Sequence, residues 1–69
     1  MPNSVYKVVE LVGSSPDSWE KAAASAVEQA SKSLRDLRVA EVVQLDMSID
    51  GAKITYRAKV KVSFKFEGK

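Results

Sequence analysis

The segment Ala52-Lys53-Ile54-Thr55-Tyr56-Arg57-Ala58-Lys59-Val60-Lys61-Val62-Ser63-Phe64-Lys65-Phe66 alternates polar and apolar residues without a break from Lys53 onward. Ile54, Tyr56, Ala58, Val60, Val62, Phe64 and Phe66 fall on one side of an extended strand, because successive side chains point to opposite faces. Lys53, Thr55, Arg57, Lys59, Lys61, Ser63 and Lys65 fall on the other. The β-branched and aromatic residues suit a pleated surface. At about 3.3 Å per residue the strand would reach roughly 50 Å. A chain of 69 residues cannot cover such a strand alone, so part of it is expected to meet another subunit.

Two residues upstream, Asp50-Gly51 is a strong two-residue hairpin signal. With those residues as the turn, Ile49 would face Ala52, Met47 Ile54, Leu45 Tyr56, Val43 Ala58 and Val39 Val62. The strand before the turn, Val39 to Ile49, carries Val39, Val43, Leu45, Met47 and Ile49 on one face, interrupted only by Glu41. On the opposite face Gln44 would lie across from Arg57, with Asp46 as a diagonal neighbour close enough for an ion pair. This register places Val39 and Arg57 on opposite faces unless a bulge near residue 40 intervenes.

The front of the chain supplies a strand and a helix. Val5 to Val12 is read as a strand ended by Gly13, with Tyr6, Val8, Glu10 and Val12 on one face and Lys7, Val9 and Leu11 on the other. Ser15 is expected to cap a helix, with Pro16 at its first position and Asp17 and Glu20 in its first turn. Trp19, Ala22, Ala23, Ala26, Val27, Ala30, Leu34 and Leu37 form one stripe at spacings of three and four. The stripe is mostly alanine, which lets the helix lie close to its sheet. Asp17 with Lys21 and Glu28 with Lys32 are i,i+4 pairs on the remaining surface.

The order strand, helix, strand, strand predicts an α+β domain, β-α-β-β, over residues 1–69. The helix returns the chain, so the first two strands run the same way and the third opposes both. A wholly antiparallel sheet then has the order 1-3-2, wrapped around one helix.

Composition narrows the function. There is no cysteine and no histidine, which removes disulfides, thiolate zinc sites and imidazole chemistry together. Catalysis would need a perturbed carboxylate or lysine pair, and no spacing singles one out, so an enzyme is not expected. A small core without disulfide or metal leaves oligomerisation as the means of stabilisation. No apolar run reaches membrane-spanning length, Met-Pro-Asn-Ser leads into a strand rather than a signal peptide, and a cytoplasmic location is expected. Residues 1 to 50 carry five cations and eight acids, and residues 51 to 69 six cations and one acid, a split of −3 against +5. Neighbouring strands or subunits can satisfy such a split. Nucleic-acid binding by the Lys/Arg face is the remote alternative, since Tyr56, Phe64 and Phe66 point the other way and cannot stack on bases from it.

Taken together, Val5-Tyr6-Lys7, Glu10-Leu11-Val12-Gly13-Ser14-Ser15, the Ala-rich run from Ala22 to Ala30, Ala40-Glu41-Val42, Thr55-Tyr56 and Val60-Lys61-Val62-Ser63-Phe64 resemble the dodecin family over nearly the whole chain. The resemblance implies a homododecameric hollow shell without enzymatic activity, and in many members binding of riboflavin, FMN or FAD. It also implies a flavin-stacking tryptophan just before the Ala-Glu-Val of the second strand, where this chain has Val39. A ring-binding glutamine is implied after the tyrosine of the third strand, where this chain has Arg57. With Gln44 as a neighbouring pocket position, flavin binding is expected to be weak or absent.

Ser18-Trp19-Glu20, Arg38-Val39-Ala40 and Asp46-Met47 resemble a tryptophan-less branch associated with calcium. Asp46-x-Ser48-x-Asp50-Gly51 also resembles the opening of an EF-hand loop, but Arg57 stands at the twelfth position instead of glutamate. Asp46, Ser48 and Asp50 are therefore the candidate metal ligands. Main-chain carbonyls, water or symmetry copies would have to complete the site.

Overall fold

In a computed structural model, which describes residues 3–66, the elements follow the order β1 (Tyr6–Ser15), α1 (Trp19–Ser31), β2 (Leu37–Asp50) and β3 (Lys53–Lys65). The sheet order is β1-β3-β2, and both outer strands run antiparallel to β3. The long alternating strand is thus central, as its sequence predicts.

Its apolar face makes the core. Ala58, Val60 and Val62 are fully buried, and Ala22, Ala26 and Ala30 of α1 are buried against that side of the sheet. Val9, Leu11, Ala23, Val27 and Leu37 pack around them. Small residues bring the helix close. A methyl group at Gly13 would collide with the backbone carbonyl of Ala22 and touch the Ala26 side chain. Glycine there lets β1 continue through to Ser15, past the Gly13 at which the pattern predicted its end.

The helix start also differs from expectation. Ser18, not Ser15, is the cap: its backbone is extended and its hydroxyl accepts a hydrogen bond from the Lys21 amide at 3.1 Å. Ser15 is buried at the end of β1, and its hydroxyl accepts from the Asp17 amide at 3.0 Å. Pro16 and Asp17 therefore lie in the link before α1, and Glu20 is the acid in the first turn. The Asp17–Lys21 pair forms at 3.4 Å on the exposed surface. The helix stops at Ser31, short of the predicted stripe's end, and Asp36 takes a left-handed backbone (φ +58°) where the chain turns into β2. Leu34 is half-buried in that link, and Leu37 opens β2 against the core.

At the hairpin, Asp50 pairs with Lys53, so the two turn residues are Gly51 and Ala52 rather than Asp50 and Gly51. Gly51 has φ +63° and Ala52 does not share it, the pattern of a type II′ turn with glycine first. The register consequently moves by two residues from the one predicted: Ile49 faces Ile54, Met47 Tyr56 and Leu45 Ala58. An even shift keeps every side chain on its face.

A helix of 13 residues is about 20 Å long, whereas the molecule extends 54 Å. Much of the hairpin is left uncovered. Leu45, Met47, Ile49 and Ile54 lie on the helix side of the sheet yet remain exposed, and Val42 and Val43 with them.

Candidate functional site

The candidate residues of β2 and β3 converge on the face of the sheet turned away from α1, and a bulge in β2 brings Val39 to that face as well. One bulge lies between Val42 and Gln44, another between Leu37 and Val39. A bulge places two residues against one on the partner strand, so it exchanges the faces of everything beyond it. After the first, Val42 faces Val60, Ala40 faces Val62, Glu41 faces Lys61 and Val39 faces Ser63. Val39 therefore shares the outer face with Arg57, which corrects the simple register that separated them. The second bulge returns Leu37 to the core side, opposite Phe64.

The outer face is a ladder of charge. Ser14, Arg57 and Asp46 form one rung, and Val12, Lys59 and Gln44 the next. Glu10, Lys61 and Glu41 follow, with the lysine between two glutamates, and then Val8, Ser63 and Val39. Near the hairpin tip Ser48 faces Thr55 and Asp50 faces Lys53. Lys53, Arg57 and Lys61 of β3 thus lie beside acids of the neighbouring strands, while Lys59 lies between Val12 and Gln44.

Arg57 and Asp46 make the strongest contact on this face. The guanidinium donates from Nε to Oδ1 at 2.8 Å and from Nη2 to Oδ2 at 3.0 Å, a two-pronged pair. The predicted ion pair is present, directly across the sheet rather than diagonal. The hydrogen bonds from Arg57 hold the Asp46 carboxyl below its usual value, against partial desolvation, and the charges of Arg57 and Lys59 act in the same direction. On the other side of the strand, Trp19 Nε1 donates to the Asp46 carbonyl oxygen at 3.0 Å. The Trp19 ring meets Tyr56 edge-on, 5.0 Å between centroids and 70° between planes. Trp19 is half-buried here, away from the outer face.

Val39 is exposed, and its carbonyl accepts a 3.4 Å hydrogen bond from the Ser63 hydroxyl. Gln44 lies between Val39 and Asp46 along β2, across from Lys59. Asp46, Ser48 and Asp50 sit on alternate positions of one strand, with Asp46 committed to Arg57 and Asp50 beside Lys53. Among the described residues, no group of three or more Asp, Glu, His or Cys side chains gathers as a cation site.

This arrangement of strands, bulges and short helix has relatives. The family model described as Dodecin matches residues 5–67. The chain belongs to the dodecin family. A calcium dodecin of Mycobacterium tuberculosis is 59% identical over 63 residues, covering 90% of this chain and 89% of the relative. The crystal structure of calcium dodecin from that organism, described as a calcium-chelating immunodominant antigen with a novel calcium-binding site, aligns with a TM-score of 0.85 at 55% identity and 96% coverage of each chain. The dodecin of Streptomyces coelicolor aligns over the whole of both chains with a TM-score of 0.91 at 36% identity. Its β-α-β-β order, with one helix and a three-stranded antiparallel sheet in the order β1-β3-β2, matches the dodecin fold. Among the described residues, no helix is long and apolar enough to cross a membrane.

Proposed function

We propose that this chain is a non-enzymatic subunit of a homododecameric dodecin shell whose ligand is calcium rather than flavin. The observation that carries the proposal is the double hydrogen bond between Arg57 and Asp46, at the position where family resemblance implies a glutamine for the flavin ring. Arg57 presents only donors, whereas a glutamine presents both a donor and an acceptor. A flavin edge needs both, and a buried unmatched group costs about 1–3 kcal/mol. Val39, at the position implied for tryptophan, has no ring to stack on an isoalloxazine, which forgoes about 0.5–1.5 kcal/mol for each stacking contact. The residues present do not fit riboflavin or FMN, and binding is weak or absent.

Calcium is supported by the 59% identity to a relative named calcium dodecin. Self-assembly is supported by the exposed strip formed by Leu45, Met47, Ile49 and Ile54, which the single helix among the described residues, with six buried apolar residues among them, leaves uncovered. The acid–cation rungs argue against nucleic-acid binding by β3. The lack of cysteine suits a cytoplasmic site of action. Calorimetric titration with CaCl2, set beside fluorescence titration with riboflavin and FMN, tests the reading. A calcium response with negligible flavin quenching is expected. Tight flavin binding without a calcium response would reverse it.

A further inference from the structure

Asp50 and Gly51 meet at the tip of the β2–β3 hairpin, where three features leave them open to reaction with each other. Asp50 is exposed and, although it pairs with Lys53 across the ladder, its carboxylate enters none of the described ion pairs. The Gly51 amide donates to no backbone carbonyl in the described turns. Gly51 has no Cβ, and nothing lies within 4 Å of the place a Cβ would take, so no group shields its nitrogen. An aspartyl carboxyl followed by such an amide can close a five-membered ring. The other described aspartates lack the combination. Asp17, Asp36 and Asp46 precede Ser18, Leu37 and Met47, whose side chains crowd the attacking nitrogen, and Lys21 and Arg57 hold Asp17 and Asp46.

We infer that Asp50-Gly51 is a self-modification site, at which the folded chain isomerises to isoaspartate with water as the only co-reactant. The Gly51 nitrogen forms a bond to Cγ of the protonated Asp50 carboxyl, and its proton and the carboxyl hydroxyl leave as water. Water then adds to the backbone carbonyl of Asp50 in the resulting succinimide and breaks its bond to the Gly51 nitrogen, which recovers a proton. The main chain now runs through Cβ and Cγ of Asp50, and the former backbone carbonyl is a free carboxylate. Nothing is oxidised or reduced, and the mass of the chain is unchanged. The step adds one carbon to a loop whose type II′ geometry is fixed, so the pairs Asp50–Lys53 and Ile49–Ile54 must open or shift. Ile49 and Ile54 form the tip end of the exposed apolar strip. Modified chains therefore associate less tightly with other copies, a consequence that rests on the self-assembly reading.

The test incubates the full chain at neutral pH for several weeks beside Asp50→Glu, which keeps the charge but would need a six-membered ring. After digestion, an isoaspartyl methyltransferase transfers label from radioactive S-adenosylmethionine to each isoaspartate, and peptide mapping assigns it. The expected result is label in the peptide carrying Asp50, at unchanged mass, and none there in Asp50→Glu. Isoaspartate from Asn3, which precedes Ser4, is told apart because that reaction loses ammonia and changes the mass. A free peptide spanning residues 46–57 serves as the reactivity control. Label in the peptide with none in the folded chain overturns the inference, because the turn then protects Asp50. Label that persists in Asp50→Glu, or is absent from both chain and peptide, overturns it as well. The isomerised fraction, separated by ion exchange, is expected to dissociate at higher concentration than fresh protein in sedimentation. Equal association overturns the link to assembly. Fresh protein that does not associate at all removes the self-assembly reading, while the labelling result stands or falls on its own.

Discussion

Arg57 and Asp46 face each other directly across β3 and β2, joined by two hydrogen bonds of 2.8 and 3.0 Å. The same aspartate receives the indole N–H of Trp19 on its backbone carbonyl. The helix and the outer face of the sheet therefore meet at a single residue of β2.

That pairing should be visible in acid. The folded carboxyl of Asp46 lies below its ordinary value of 3.8, chiefly through the Arg57 hydrogen bonds. A depressed carboxyl contributes stability that is fully present above its unfolded value and is lost as pH falls through the folded one. The stability difference between wild type and Asp46→Asn is thus expected to stay constant from neutrality down to about pH 5 and to close below about pH 4. The pair is solvent-exposed, so added salt should also narrow it. Urea denaturation over a pH series makes the measurement. A difference that widens in acid would contradict the assignment.

Gly13→Ala should destabilise the chain by at least about 1–3 kcal/mol, the usual cost of overpacking. The added methyl meets the Ala22 carbonyl, and a backbone atom cannot swing aside. Thermal unfolding reads the loss. An unchanged Tm would show that α1 does not lie as close to β1 as described.

Much of this was legible in the sequence. The seven-on-seven alternation of Lys53 to Phe66 named the central strand, and the connection order then required the order 1-3-2. The local signals at the helix start were ambiguous. Ser15 and Ser18 are both plausible caps, and Pro16 favours the first, but Gly13 allows β1 to run on to Ser15, so the helix can begin only after it. The turn slipped by one residue because Asp-Gly and Gly-Ala are both acceptable hairpin pairs. The bulge had a signal of its own, since Glu41 is the lone exception on an apolar face. Placing an extra residue at Val43 removes the exception and sets Glu41 against Lys61. The same step brings Val39 to the face of Arg57. The candidate donors Asp46, Ser48 and Asp50 occupy alternate positions of one strand and gather no further carboxylates among the described residues.

Trp19 should report assembly. It is half-buried beside Tyr56 and lines the groove with Val42 and Leu45. Covering that groove with a second copy dries the indole, so dissociation should move its emission to longer wavelength. Leu45→Asp is expected to show the shift together with a subunit dissociation constant raised at least tenfold, one charge in an apolar contact costing more than about 1.4 kcal/mol. Emission spectra paired with sedimentation check it. Dissociation without any spectral change would place the contact between copies elsewhere.

Flavin titration tests the central claim most directly. Riboflavin and FMN fluorescence is followed as protein is added, for the wild type and for Val39→Trp/Arg57→Gln. The double change restores a stacking ring and a donor–acceptor amide on the outer face, and it releases Asp46. The wild type is expected to be colourless as purified and to leave flavin emission nearly unquenched, while the double variant quenches it with at least tenfold higher affinity. Tight riboflavin binding by the wild type, equal to that of the variant, would contradict the account.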